Sequence, residues 1–172
     1  MSVQELFPFT RVLDTNGDGT GSVDAAQDFS ITQGVFYIQP PWGSIYQITE
    51  LIVLIADDRV DREDRYGDIA GGVTNGVGVF ALGDSGSVLL NQQLQPKTNL
   101  DWLDYGTPIW NPFTPPPGYG RVLQVRSSLD SRGGDVRLEG VANERIEVRL
   151  DDDFSTLNEH RFSVKGLADV PL

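Results

Sequence analysis

The sequence predicts an all-β chain, a β-sandwich of jelly-roll type with long irregular loops, and three observations carry that reading. Residues 145–150 alternate strictly: Ile146, Val148 and Leu150 fall on one side, Arg145, Glu147 and Arg149 on the other. That is the period of a half-buried strand. Leu51 to Ala56 (LIVLIA) is apolar at every residue, as in a central strand covered on both faces. Finally, 19 glycines and 10 prolines suit short strands and turns better than helices.

The elements follow in order. Phe9 to Leu13 is a short first strand leading into an acidic loop, and Asp28 to Ile31 is a second candidate strand. Residues 1–34 thus make an N-terminal arm around that loop. Val35 to Gln39 is β-branched and aromatic, a strand signal, and Pro40-Pro41-Trp42-Gly43 breaks it with a turn. Ile45 to Ala56 is one long extended run, alternating loosely in its first half. Asp57 to Gly76 is charged in both signs and then small and turn-prone, which predicts a long exposed loop. Val77 to Leu82 and Ser87 to Asn91 flank Gly83 to Gly86 as a hairpin. Gln92 to Gly120 is proline-rich and irregular, since three consecutive prolines forbid a helix or a central strand. In Arg121 to Leu129, Leu123, Val125, Ser127 and Leu129 share a face. Val136 to Glu139 and Arg145 to Leu150 flank GVANE, a second predicted hairpin, and Asp151 to Asp153 closes it. In the last strand Phe162 and Val164 alternate with Arg161, Ser163 and Lys165. No internal repeat or domain boundary is evident, so residues 1–172 read as a single domain.

The densest chemistry lies in DTNGDGTGSVD, Asp14 to Asp24. Asp14, Asn16 and Asp18 alternate, Gly19 permits a sharp turn, and Thr20 can offer its backbone carbonyl. This is the oxygen spacing of a calcium loop, because calcium takes about 6–8 hard oxygen ligands. The bidentate glutamate at position twelve is missing: Ala25 stands there and Asp24 one place early. The flanks also look extended instead of helical. Two readings stay open. One is a structural calcium ion held by Asp14, Asn16, Asp18, Thr20 and Asp24. The other is a polar turn of residues that favour tight turns in their own right.

A formal net charge of −12 argues against nucleic acid, whose affinity comes from Lys and Arg, and against anionic membranes. No cysteine is present, which excludes disulfides and thiolate metal sites. MSVQELFPFT has no basic stretch followed by an apolar run, so no signal peptide is expected. The irregular segment carries Trp102, Tyr105, Trp110, Phe113 and Tyr119. Aromatics on a proline-rich loop are a candidate partner surface or sugar platform, or else a plug over one end of the core.

Enzymatic readings find little to stand on. His160 is the only histidine, so a Ser-His-Asp arrangement must use it. Asp84-Ser85-Gly86 resembles the surroundings of a serine nucleophile but sits where a hairpin turn is expected. Walker A, GxGxxG and HExxH patterns are missing. No enzymatic activity is expected.

Several stretches together resemble a family of tailed-bacteriophage virion proteins. They are FYIQPPWGSIYQITELIVLIADD, TNGVGV, PKTNLDW and VRLDDDFSTLNEHRFSVKG, with DTNGDGTGS near the N-terminus. The resemblance runs from about Leu13 to Gly166 in matching order, and Pro108 to Gly120 falls outside it. It implies a small structural component of the head or neck, foremost a head decoration (cement) protein. Such a protein would contact the major capsid protein, assemble as a dimer or trimer, and reside in the virion after assembly in the host cytoplasm. No catalytic residues are implied. Asp57 to Gly76 and Gln92 to Gly120 are the expected contact arms. The alternative is a calcium-stapled carbohydrate- or host-binding module using Trp102, Trp110 or Tyr119.

Overall fold

In a computed structural model, described at residues 5–21, 23–57, 66, 69–84, 86–92, 109–110, 121–128 and 136–169, the chain forms two antiparallel sheets. The strands are β1 (Phe7–Val12), β2 (Gly34–Ile38), β3 (Ile45–Asp57), β4 (Val77–Gly83), β5 (Gly86–Gln92), β6 (Ile109–Trp110), β7 (Arg121–Ser128), β8 (Val136–Glu139), β9 (Arg145–Leu150) and β10 (Glu159–Ala168). One sheet has the order β1-β10-β3-β7-β6, with β8 also paired to β3; the other has β2-β9-β4-β5. The all-β sandwich expected from the sequence is what forms.

The pairing is nested. The first strand pairs with the last, β2 pairs with β9, β3 with β7 and β8, and β4 with β5 at the tip. The chain is therefore one long antiparallel ribbon folded over so that its two sides supply both sheets.

The apolar sides of the strands meet between the sheets. Ile48, Leu51, Val53 and Ile55 of β3, with Phe162 and Val164 of β10, face Phe36, Ile38, Val77, Val79, Ile146 and Val148. Burying each such side chain contributes about 1.5–3 kcal/mol. The central position of β3 explains its sequence. β10 flanks one edge, and β8 then β7 flank the other. Ile52 and Ala56, on its opposite face, are buried as well.

The loose alternation in the first half of β3 has a specific cause. Lys165 lies opposite Glu50, but Gly166 lies opposite Ile48, so Thr49 is an extra residue. This β-bulge moves the buried phase from Tyr46 and Ile48 to Leu51, Val53 and Ile55. The Thr49 hydroxyl closes it by donating to the Lys165 carbonyl at 3.3 Å. Gly166 is needed there, since a Cβ would lie 2.1 Å from the Gln47 carbonyl oxygen.

Four expectations are corrected. Val136 to Glu139 and Arg145 to Leu150 do not form a hairpin. β8 pairs with β3 and β9 with β2 and β4, so the chain changes sheet between them. A 3-10 turn at Gly140–Ala142 and Asn143 at φ +52° make the crossing. Period-two patterning reports strands and not their partners. Asp28 to Ile31 is no strand: it contributes one isolated bridge, Asp28 to Asp153, and Ile31 faces solvent. The predicted exposed loop Asp57 to Gly76 sends Tyr66, Ile69 and Val73 into the core. It leads from one sheet to the other, so its apolar residues close the gap between them. Lastly, Gln92 to Gly120 holds β6, paired to β7.

Candidate functional site

The acidic loop bridges the two sheets. Leu13 still donates its N–H to Phe162 of β10 at 2.9 Å, and the next residue, Asp14, exchanges backbone bonds with Tyr37 of β2. The loop then lies on Tyr37. The tyrosine hydroxyl donates to the Asn16 carbonyl at 3.0 Å, and Gln39 donates its N–H to the Gly17 carbonyl at 2.9 Å. Gly17 has φ +77°, and a Cβ there would sit 2.0 Å from the tyrosine ring. Both its conformation and its closeness require glycine.

Asp14 organises this loop from inside. Its buried carboxylate accepts the N–H groups of Asn16, Gly17 and Gly21. Asp18 is exposed and accepts both the N–H and the hydroxyl of Thr20, at 2.9 and 2.7 Å. Chiefly the Thr20 hydroxyl, then the Thr20 N–H, hold the Asp18 carboxyl below the usual carboxylate range, and neighbouring Asp14 adds to this. Asn16 and Thr20 also face solvent. Asp24 stands apart from these donors. It accepts the N–H of Ala26 at 3.0 Å and that of His160 at 2.8 Å, tying the arm to the start of β10.

The structure thus brings Asp14, Asn16, Asp18 and Thr20 onto one loop and assigns Asp24 to a different task. Among the described residues no group of three or more His, Cys, Asp or Glu side chains could hold a metal ion. A cation here would depend on Asp14 and Asp18 supplemented by neutral oxygens.

Of the aromatic candidates, Trp110 lies in β6 opposite Leu123. Trp102, Tyr105, Phe113 and Tyr119 lie outside the described residues.

Other acids are structural. Asp152 is buried and accepts the N–H groups of Thr74, Asn75 and Gly76 at 2.8–3.0 Å, together with the Asn75 side chain at 3.2 Å. It is a staple between the TNG turn and the end of β9, not a solvated acid. Glu147 lies on the outer face of β9 yet is buried, because Arg145 and Arg149 both pair with it. Their guanidiniums lie over the rings of Tyr37 and Phe80 at 5.0 and 4.2 Å.

His160 is sealed in an aromatic box of Tyr66, Phe154 and Phe162. Its Nε2 lies 2.7 Å from the Tyr66 hydroxyl, and among the described residues no group lies within hydrogen-bonding geometry of Nδ1. Desolvation depresses its pKa to about 3, partly offset by Ala25. The same burial pushes the Tyr66 hydroxyl well up. Ser85 lies outside the described residues.

No protein-family model, curated protein or solved structure matches the chain.

One feature escaped the sequence reading. Trp42 is 78% exposed and Val141 47%, at the same end of the sandwich. The available signal was PPWG itself: a tryptophan between proline and glycine in a tight turn has little chain around it to bury it.

Proposed function

We propose that this chain is a non-enzymatic structural protein of a tailed-phage virion, a head decoration protein that binds the major capsid protein and assembles with itself as a dimer or trimer. The observation that carries the reading is the nested ribbon: β1-β10-β3-β7 against β2-β9-β4-β5 supports a jelly-roll reading, two Greek keys wound from one ribbon. A jelly roll is what the sequence resemblance implies for a capsid-clamping protein. Two of the stretches that carry the resemblance also interlock, TNG closing on Asp152 of the RLDDDF stretch. Such a protein acts additively. Each copy makes a modest contact, and symmetric repetition multiplies it over the head. A structural calcium ion, where present, would be held by Asp14, Asn16, Asp18 and the Thr20 carbonyl, without Asp24.

The test is to delete the gene from the phage that encodes it, add the purified chain back to the particles, and image bound copies with a labelled antibody. Label over the whole head is expected. Label at one vertex would make the protein a neck component, and no label would defeat the virion reading. Light scattering on the free chain reads its oligomeric state.

A further inference from the structure

We infer that Trp42 and Val141 form the anchor by which this chain docks into an apolar, base-rimmed pocket of a different protein; the inference rests on the virion reading, where that protein is a capsid component. The two residues sit on separate turns that are locked together. Ser44 donates its N–H to the Pro41 carbonyl at 2.9 Å, and Gly140 donates to the Ser44 carbonyl at 2.9 Å. Gly140 packs so closely that a Cβ would lie 2.0 Å from the Pro41 oxygen. The hairpin tip joins them, since Asp84 donates its N–H to the Ala142 carbonyl at 3.0 Å and accepts the Asn143 amide at 3.1 Å. An exposed tryptophan on such a pinned turn loses little freedom on docking. Tryptophan is also the residue type most enriched where a few side chains dominate an interface.

The surroundings select the partner. The carboxylates of Asp84, Glu139 and Glu144 border the tip, and among the described residues Arg137 offsets Glu139, at 3.1 Å. A second copy would bring the same acids, on a chain of net charge −12, against this rim. An anionic membrane would be repelled in the same way. A protein pocket with an apolar floor and Lys or Arg at its edge satisfies both the apolar centre and the acidic border.

The experiment measures binding of the purified chain to its gene-deleted particles. Trp42→Ala and, independently, Val141→Ser should weaken binding, Trp42→Ala by roughly 30-fold or more, with melting temperatures kept. Ile31→Ser is the control, since Ile31 is 91% exposed at the far end of β2 and its loss should leave binding intact. Binding should also weaken as salt rises, through screening of the acidic rim. Full binding by Trp42→Ala, or binding that strengthens with salt, would overturn the anchor while leaving the virion reading in place. Failure of the unaltered chain to bind would remove both. Association of the chain with phosphatidylcholine vesicles, lost in Trp42→Ala, would assign the tip to lipid instead.

Discussion

The hydroxyl of Tyr66 lies 2.7 Å from Nε2 of His160, and neither side chain reaches solvent. Tyr66 comes from the connection between β3 and β4, and His160 is the second residue of β10. The bond therefore ties the cover of the core to its central strands. Tyr66→Phe keeps the ring and leaves Nε2 unpaired. A loss of about 1–3 kcal/mol is expected, read by urea unfolding; an unchanged midpoint would show the bond to be dispensable.

The same histidine makes stability depend on pH. Its folded pKa, about 3, lies below the ordinary histidine value of 6.5, so the fold holds it neutral. Above pH 6.5 neither state binds the proton, and its contribution is complete. As pH falls below that, the unfolded chain takes up a proton that the fold refuses. Stability is lost down to about pH 3, by up to about 5 kcal/mol at about 1.4 kcal/mol per unit. Melting temperature should drop between pH 6.5 and 4, and His160→Gln should be less stable at pH 7 but flatter across that range. Parallel pH profiles for both proteins would remove the effect.

Asp152→Ala strands the amides of Thr74, Asn75 and Gly76 in a buried turn. A cost of roughly 3 kcal/mol or more is expected, since hydrogen bonds to a charged acceptor contribute about 1.5–3 kcal/mol each but are not additive. Hydrogen exchange at Asn75 and Gly76 should speed up with it.

Gly166→Ala places a methyl 2.1 Å from the Gln47 carbonyl oxygen, a backbone atom that cannot swing away. The bulge must open, at a cost of about 3 kcal/mol or more. Calorimetry on this variant, with Gly43→Ala as a strained but unobstructed comparison (φ +83°, no atom within 4 Å), separates collision from backbone strain.

The calcium proposal predicts a higher melting temperature with calcium than with chelator, by linkage of binding to folding. Asp18→Asn should abolish the difference, whereas Asp24→Asn should change stability in both conditions alike, because Asp24 holds His160 and Ala26. Identical melting with and without calcium would leave the loop as a turn organised by Asp14.

Much of the fold was legible because strands write a two-residue period into the sequence. β9, β10 and the β4–β5 hairpin follow directly from Ile146, Phe162 and Gly83 with their neighbours. Partner choice was not legible. Nothing in Val136 to Glu139 says that its partner is Ile45 to Ile48 and not the strand that follows. Burial within a charged stretch was hidden too: Tyr66 lies in DREDRYGD yet joins the core. At the loop, residue types placed Asp14, Asn16 and Asp18 on one turn, as the structure has them, while the orientation of Asp24 depended on β10, more than a hundred residues away.

The nested ribbon also dictates an order of events during synthesis. The β4–β5 hairpin can close as soon as it leaves the ribosome. β1 finds its partner only when β10 appears, roughly 150 residues later. At about 5–20 residues per second, the first strand waits on the order of ten to thirty seconds with both edges unpaired. Phe7 and Phe9, which end up opposite Ala168 and Gly166, are exposed to chaperones and to neighbouring chains throughout that interval. Yield in a host should therefore respond to the speed of translation and to chaperone supply more than to the stability of the finished sandwich.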